Sequence, residues 1–400
     1  MRRREQKRAG GPRTEGLPGI LARGAVVAML MGAGPGCQLG QDAGRSPAGT
    51  AAPDAEVSPE RDERNTPGFT IAASGDILVH STVAARAAEY GDGSFDFRPM
   101  FEPVRTVISE ADLAVCHMET PLSPTNEGLA SYPIFNAPRE VAGAAAFAGF
   151  DACSTASNHS YDRQLEGVSG TLEVLEEAGL AHAGTARSPA ERNRSTLLEV
   201  KGFIVGLLSY SYQLNSTAVP AEPWSVNIID ERRILADARK AKRRGAEFVI
   251  VSLQWGVEYQ RAPTPEQRGL ARRLLRSPAV DLILGHHAHV VQPIGRVGKE
   301  YVIFGMGNFL SNQSDDCCLP ETQDGVIVRI EVAEKRKGLR VTGLGYTPTW
   351  VDIGSYRILP ARAWLDRAGT GEKLRRALRT SWERTVATIE ASGVRAQRDP

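Results

Sequence analysis

A series of apolar runs, each ending in residues able to bind a metal ion, constrains this chain more than any other feature. Leu282-Ile283-Leu284-Gly285 leads into His286-His287-Ala288-His289. Phe69 to Gly75 ends in Asp76, and Leu113 to Cys116 ends in His117-Met118-Glu119. Asp151 to Ala156 ends in Ser157-Asn158-His159, Phe248 to Leu253 in Gln254-Trp255-Gly256, and Tyr301 to Met306 in Gly307-Asn308-Phe309. Each run has the length and β-branched content of a buried strand. Helical patterns such as Val168 to Ala178 and Asp230 to Gly245 separate most of them. The alternation predicts an α/β fold built from βαβ units with pairing that is at least partly parallel. Ligands in such folds collect beyond the carboxyl ends of the strands, so these tips are expected to meet along one edge.

In an extended segment, residues i and i+2 point the same way. His287 and His289 are therefore expected to face one point beyond the strand end, with His286 turned elsewhere. Two neutral imidazoles aimed together suit zinc, iron or manganese. The other ligand-type residues are Asp76, Glu119, Asn158, His159, Gln254 and Asn308. Carboxylates, amides and imidazoles together suit a dinuclear centre of divalent ions, whose combined field lowers the pKa of a bridging water. The resulting hydroxide attacks phosphorus or another electrophile. An imidazole close to the metals but not on them then protonates the leaving oxygen. Asn158-His159 fits that division, with the amide on a metal and His159 left free as the catalytic group; taken alone, the pair fits an ordinary strand-to-loop turn equally well.

The chain has 400 residues, 42% of them hydrophobic, enough for one large domain or two ordinary ones. A net charge of +1 gives no electrostatic case for nucleic acid binding. The basic run Arg239 to Arg244 follows Asp230-Glu231 on a predicted helix and reads as a solvated C-terminal helix end. Residues 1–37 read as a signal segment: Arg2-Arg3-Arg4, Lys7, Arg8, Arg13 and Arg23 precede the short apolar stretch Gly24 to Met31. That pattern predicts export to the outer face of the cytoplasmic membrane or the cell envelope. Cys37 follows Gly34-Pro35-Gly36 at the place of a lipoprotein's lipidated cysteine, although Gly34 stands where such signals carry a Leu-like residue. A lipid anchor, an uncleaved signal anchor in the membrane and simple release all remain open. Residues 38–67 have the composition of a disordered tether. In an oxidising space, Cys116 and Cys153 read as buried apolar-run residues, and Cys317-Cys318 as a loop disulfide rather than a metal site. The main domain is expected over 68–350. Residues 351–400 are expected to form a helical extension packed on it, with Glu372 to Ser392 as an amphipathic helix.

The segments Ser74-Gly75-Asp76-Ile77-Leu78, His117-Met118-Glu119-Thr120-Pro121-Leu122, Ala156-Ser157-Asn158-His159-Ser160-Tyr161-Asp162, Gln254-Trp255-Gly256-Val257-Glu258-Tyr259, Gly285-His286-His287-Ala288-His289-Val290-Val291-Gln292 and Gly305-Met306-Gly307-Asn308-Phe309 occur in a telling order. As a set they resemble the CapA-type capsule synthesis proteins, the poly-γ-glutamate-associated branch of the calcineurin-like metallophosphoesterases. The resemblance covers roughly residues 68 to 350. It implies a four-layer α/β/β/α sandwich with mixed sheets. It also implies that Asp76 binds the first metal, Glu119 bridges, Asn158 binds the second metal, His159 is the off-metal catalytic histidine, and His287 and His289 complete the two ligand sets. The implied partners are a phosphoester or anionic polymer substrate and the capsule synthesis machinery. Three positions depart from the pattern. Leu78 replaces a superfamily histidine, with His80 two residues further on, placed either to reach the pocket or to start the next helix. His117 replaces an asparagine and could be a substitute ligand. Gln254 replaces a histidine before Trp255-Gly256, and an amide is a weak ligand for zinc or iron. His117, Asn308, His80 and Trp255 are expected to line the substrate pocket.

Overall fold

Strand Gly68–Ile77 organises the first sheet, pairing in parallel with Leu113–Met118 and antiparallel with Asp324–Lys335. In the computed structural model, which describes residues 66–215 and 220–399, this sheet has nine strands. Its main path runs Arg357–Pro360, Gly338–Asp352, Asp324–Lys335, Gly68–Ile77, Leu113–Met118, Ala152–Ser154, Ala181–Ala183. The second sheet has six, in the order Ile294–Val297, Glu300–Ile303, Leu282–His286, Phe248–Gln254, Phe203–Ser211, Thr196–Val200. Its central pairs are parallel and its two outermost pairs antiparallel, so both sheets are mixed. The signal segment, Cys37 and the tether up to residue 65 lie outside the described residues. No helix among the described residues is long and apolar enough to cross a membrane.

Period-2 alternation produces the layers. Phe69, Ile71 and Ala73 pack with Phe248, Ile250, Leu282 and Leu284 in a core between the two sheets. Ala72 packs the other way, with Val83, Phe101, Val141 and Val174 from the helices covering the first sheet. Across the second sheet, Val249, Val251 and Leu253 meet Ile234, Ala238, Ala271 and Leu274 of helices Glu231–Arg243 and Pro265–Leu275. The order is helix, sheet, sheet, helix: the four-layer α/β/β/α sandwich. The register of Gly68–Ile77 shifts between Ala73 and Asp76, and Ile77 then packs on the helix side although its parity matches Ala73. A bulge of this kind re-aims the residues after it, here Asp76 at the strand tip.

The helices carry the end signals their sequences promise. The Asp230 side chain accepts from Arg233 N–H, and Lys240, Lys242 and Arg243 occupy the last turn of the following helix. Helix Pro265–Leu275 opens with a reciprocal capping box between Thr264 and Gln267. The Gln267 side chain also donates to Gln292 Oε1 at 3.0 Å, tying the cap to the segment after His289. Thr264→Ala is expected to destabilise the fold by about 1 kcal/mol, read by urea denaturation. No change would show that Gln267 holds the helix start unaided.

Two sequence expectations are revised here. Cys116 and Cys153 occupy aligned positions on neighbouring parallel strands, with Cα atoms 4.5 Å apart, and are joined as a disulfide instead of remaining free buried thiols. The last fifty residues do more than form helices: Arg357–Pro360 adds a strand to the first sheet before Glu372–Glu390 packs beside it, with Leu378 against Leu359 and Leu365. Cys317 and Cys318 pair with each other in their loop.

Candidate metal centre

Two glycines let the strand tips come together. A Cβ on Gly75 would lie 2.1 Å from the Gly307 carbonyl oxygen, and one on Gly285 would lie 2.0 Å from that of Phe304. Only a residue without a side chain admits backbone this close. The segment 304–308 therefore crosses both strand ends. The Asp76 N–H donates to Gly307 O at 2.9 Å, and Asn308 falls in register beside Asp76.

Asp76 is the hub. Its Oδ1 lies 3.0 Å from His286 Nδ1, and its Oδ2 lies 3.3 Å from His289 Nδ1 and accepts from His287 N–H at 3.2 Å. Burial opposes the charge on Asp76, but the hydrogen bonds from His286 and His289 outweigh it and hold the carboxyl well below the usual range. Asn308 orients the ring of His289. Its Nδ2 donates to Thr322 O and to Gln313 Oε1, both at 2.9 Å, which leaves Oδ1 to accept from His289 Nδ1–H at 3.0 Å. His289 Nε2 is thereby turned towards Glu119, 3.8 Å from Oε1. Burial opposes a charge on His289, yet Glu119 and Asp76 push its pKa up to about 9. Burial pushes Glu119 up to about 8, with His289 pulling the other way. Burial, reinforced by His289, holds His287 down at about 3.

Gln254 ties Glu119 to Asn158. The Asn158 N–H can only donate, so the atom 2.6 Å from it is Gln254 Oε1, which also accepts from Ser211 Oγ at 2.8 Å. Gln254 Nε2 is then directed at Asn158 Oδ1, 2.6 Å away, and Glu119 Oε1, 3.2 Å away. Both ends of this amide are spent on hydrogen bonds. It serves as a polar connector, which revises the expectation that Gln254 is a weak metal ligand.

His159 belongs to neither group of metal donors, Asp76 with His117 and His286 or Glu119 with His287 and His289. Its Nδ1 lies 2.7 Å from Asp162 Oδ2, its Nε2 lies 3.2 Å from Asn215 Nδ2, and Phe135 packs edge-on to the ring at 4.6 Å. Asp162 also accepts from Phe135 N–H at 2.8 Å, so the carboxylate that orients His159 is itself held.

The donor chemistry fits a metal. Asp76, His117 and His286 bring ligand atoms within 4.8 Å of one another, and so do Glu119, His287 and His289. Buried His117 Nε2, His286 Nε2, His287 Nδ1 and Glu119 Oε2 have no hydrogen-bond partner among the described residues. Each such orphan costs about 1–3 kcal/mol unless something satisfies it. A divalent cation is a partner that oxygen and imidazole donors can share.

The expected meeting of strand tips is observed, with the tips drawn from both sheets. Several details differ from the sequence reading. His286 does not turn away: it hydrogen-bonds Asp76 and stacks on His117 at 4.0 Å. The strand ends at His286, and His287 and His289 have φ of 86° and 54°, so strand alternation no longer governs their directions. Trp255 is not a pocket wall: its Nε1 donates to Phe304 O at 2.9 Å and its ring stacks on Phe304 in the helix-side core. Asn308 orients His289 rather than facing a substrate. His80 starts helix Ser81–Tyr90, its Nδ1 lies 3.1 Å from Leu78 O, and burial holds it down at about 4. Sequence reasoning overlooked Asp162, although its three-residue spacing from His159 was a usable signal. It also overlooked Tyr212, whose ring packs 4.4 Å from His287 and which no local pattern marked.

A family model for the bacterial capsule synthesis protein PGA_cap matches residues 70–313. The capsule biosynthesis protein CapA of Bacillus anthracis is 25% identical over 319 residues, covering 78% of this chain and 74% of that protein. The PGA biosynthesis protein CapA of Bacillus subtilis is 26% identical over 192 residues, 47% of this chain and 49% of its own length. Among solved structures, the calcineurin-like phosphoesterase YfkN of Bacillus subtilis aligns with 80% of this chain and 98% of that chain, at 13% identity and a TM-score of 0.42. The family match spans more than half of the sequence and contains every residue of the buried cluster, and the chain belongs to the bacterial capsule synthesis protein PGA_cap family.

Proposed function

We propose that this protein is an exported, metal-dependent hydrolase that cleaves a phosphoester or related bond in a cell-envelope polymer. The observation that carries the reading is the buried pair of adjoining donor groups, Asp76 with His117 and His286, and Glu119 with His287 and His289, with unpartnered atoms in both. Their imidazole and carboxylate donors suit manganese, iron or zinc. Bound there, divalent ions would supply Lewis acidity and a water of lowered pKa. The protein's own part is positional. Asn308 and Asp76 fix the His289 ring, and Gln254 holds Glu119 and Asn158 in place. Asp162 orients the His159 ring through Nδ1, and we assign proton delivery to the leaving oxygen to this histidine. Export rests on the N-terminal signal pattern, with the membrane reached through Cys37 or an uncleaved anchor. The names of the Bacillus relatives support the capsule machinery as partner and an anionic polymer such as poly-γ-glutamate as the material handled.

The test is hydrolysis of bis(p-nitrophenyl) phosphate and of poly-γ-glutamate by manganese-, iron- or zinc-loaded protein. Cleavage of the diester marks the phosphoesterase, whereas chain scission of the polymer would mark the same water activation turned on an amide. Metal binding with neither activity would favour a second reading, a surface component that supports polymer export or anchoring. The saturated Gln254 amide favours that reading, because it spends a position where the resemblance places a metal ligand. His159→Ala is expected to lower turnover about 100-fold with metal content unchanged. A simultaneous loss of metal would place His159 among the ligands.

A further inference from the structure

The position at which the resemblance puts a second cation, between Asn158, Glu119 and residue 254, is already filled by hydrogen. Gln254 Nε2 presents its N–H groups to Asn158 Oδ1 and Glu119 Oε1, and its orientation is locked by the Asn158 N–H on the other side. A cation there would face N–H dipoles.

The other corner of the cluster is the reverse case. His286 Nδ1 lies 3.0 Å from Asp76 Oδ1, already the spacing of two ligands on one ion. When Ser154 Oγ donates to Cys116 O, 3.3 Å away, it accepts from His117 Nδ1 at 2.8 Å and leaves His117 Nε2 a bare lone pair. That Nε2 is buried without a partner among the described residues. The two residues are 0% and 2% exposed, and their rings stack at 4.0 Å and 21°. A ring nitrogen held by a hydroxyl with its opposite nitrogen free, as at His117, is a usual arrangement of a metal-binding histidine. His117 is also in register with Asp76 on the adjacent parallel strand, next to the place where buried Leu78 replaces an imidazole.

Resting on the metal-centre reading above, we propose that Asp76, His117 and His286 form a cation site of their own, and that the second ion binds there instead of at Asn158 and Gln254. One donor atom from each of the three lies within 4.8 Å of the others. Ligand bonds of about 2 Å place co-ligands roughly 3–4 Å apart, so small side-chain shifts close the site. Two imidazoles and one carboxylate select zinc, cobalt or iron(II) over magnesium or calcium.

The test is metal content by mass spectrometry on the full chain loaded with zinc and desalted, for the wild type, His117→Gln, His286→Gln, Glu119→Gln and the Glu119→Gln/His117→Gln pair, with circular dichroism as the folding check. The expected counts are two ions for the wild type and one for each single variant, with the ion left in Glu119→Gln lost on adding His117→Gln. Wild-type stoichiometry in folded His117→Gln and His286→Gln would overturn this site and leave the metal-centre reading standing. A wild type that binds no ion would overturn both. A second measurement needs no variant: among the seven histidine rings, nitrogen NMR of the wild type should show His117 and His286 shifting on zinc addition along with His287 and His289. Shifts confined to His287 and His289 would likewise overturn the site.

Discussion

Asp76→Asn is expected to leave the chain folded and to abolish both its metal binding and any metal-dependent hydrolysis. The carboxylate is approached by His286, His289 and the His287 N–H, and it belongs to one donor group while hydrogen-bonding a member of the other. His289 makes the reciprocal contact, lying 3.3 Å from Asp76 and 3.8 Å from Glu119 of its own group. Asparagine preserves the shape, but it removes the negative charge and turns an NH2 group towards donors that need an acceptor. Altering contacts one step removed from a metal weakens binding about 10–100-fold, so loss of the central carboxylate should weaken it by on the order of a thousandfold or more. The metal-free variant should lose only about 1–2 kcal/mol of stability, from the mismatched donors. Calorimetric titration with manganese or zinc, paired with a urea melt of the metal-free protein, checks both halves. Wild-type affinity in Asp76→Asn would remove Asp76 from the centre and with it the hub on which the two donor groups depend.

The fold was legible because burial imposes patterns that sequence carries openly. Apolar runs such as Leu282 to Leu284 have few ways to be satisfied, and each became a strand, within two residues of its expected limits except that the run from Tyr301 stops at Ile303 rather than Met306. The convergence of Asp76, Glu119, Asn158 and His289 was legible for the same reason: polar residues directly after buried strands fall at the strand tips, where α/β folds leave room for ligands. What failed were directions. His286 was expected to turn away from the site because alternation was extended past the point where the strand stops. The backbone turns left-handed at His287 and His289, just after Gly285 meets Phe304, a long-range contact that no local window contains. Trp255 followed a polar strand tip and resembled a pocket wall, but the carbonyl that accepts its N–H lies on Phe304, 49 residues away. Gln254 could be recognised as a departure; that its two ends are consumed by Asn158, Ser211 and Glu119 follows only from how three strands abut. The disulfide between Cys116 and Cys153 likewise needs the strand register, which places them side by side.

A buried ion pair joins the C-terminal helix to the first sheet, and its removal is expected to be the largest purely structural loss. Arg384, on helix Glu372–Glu390, donates from Nε to Asp324 Oδ2 at 2.5 Å and from Nη2 to Oδ1 at 2.8 Å. The Asp324 side chain is 3% exposed. Burial pushes its pKa up to about 6 even with the guanidinium beside it pulling down. Arg384→Met keeps much of the aliphatic stem and strands the carboxylate, a change expected to cost about 3–4 kcal/mol at pH 7.5. The pH dependence has a fixed sign. An acid whose folded pKa lies above its unfolded value, 3.8 rising to about 6, binds more protons when folded, so its contribution to stability falls as pH rises through that interval. Without Arg384 the folded pKa moves higher still. The deficit should therefore be small near pH 4, where Asp324 is protonated in both proteins, and full above neutrality. Urea denaturation at both pH values separates the causes: equal deficits would mean that lost packing, not the unpaired charge, is responsible. Adding Asp324→Asn should recover most of the loss, since removing both partners leaves no buried charge. Asp324 opens the strand whose next residue, Gly325, bridges Gly307, the neighbour of Asn308. Arg384→Met should thus also loosen the Asn308 contact that fixes His289, and metal affinity should weaken at pH 7.5 but recover in the Asp324→Asn/Arg384→Met pair.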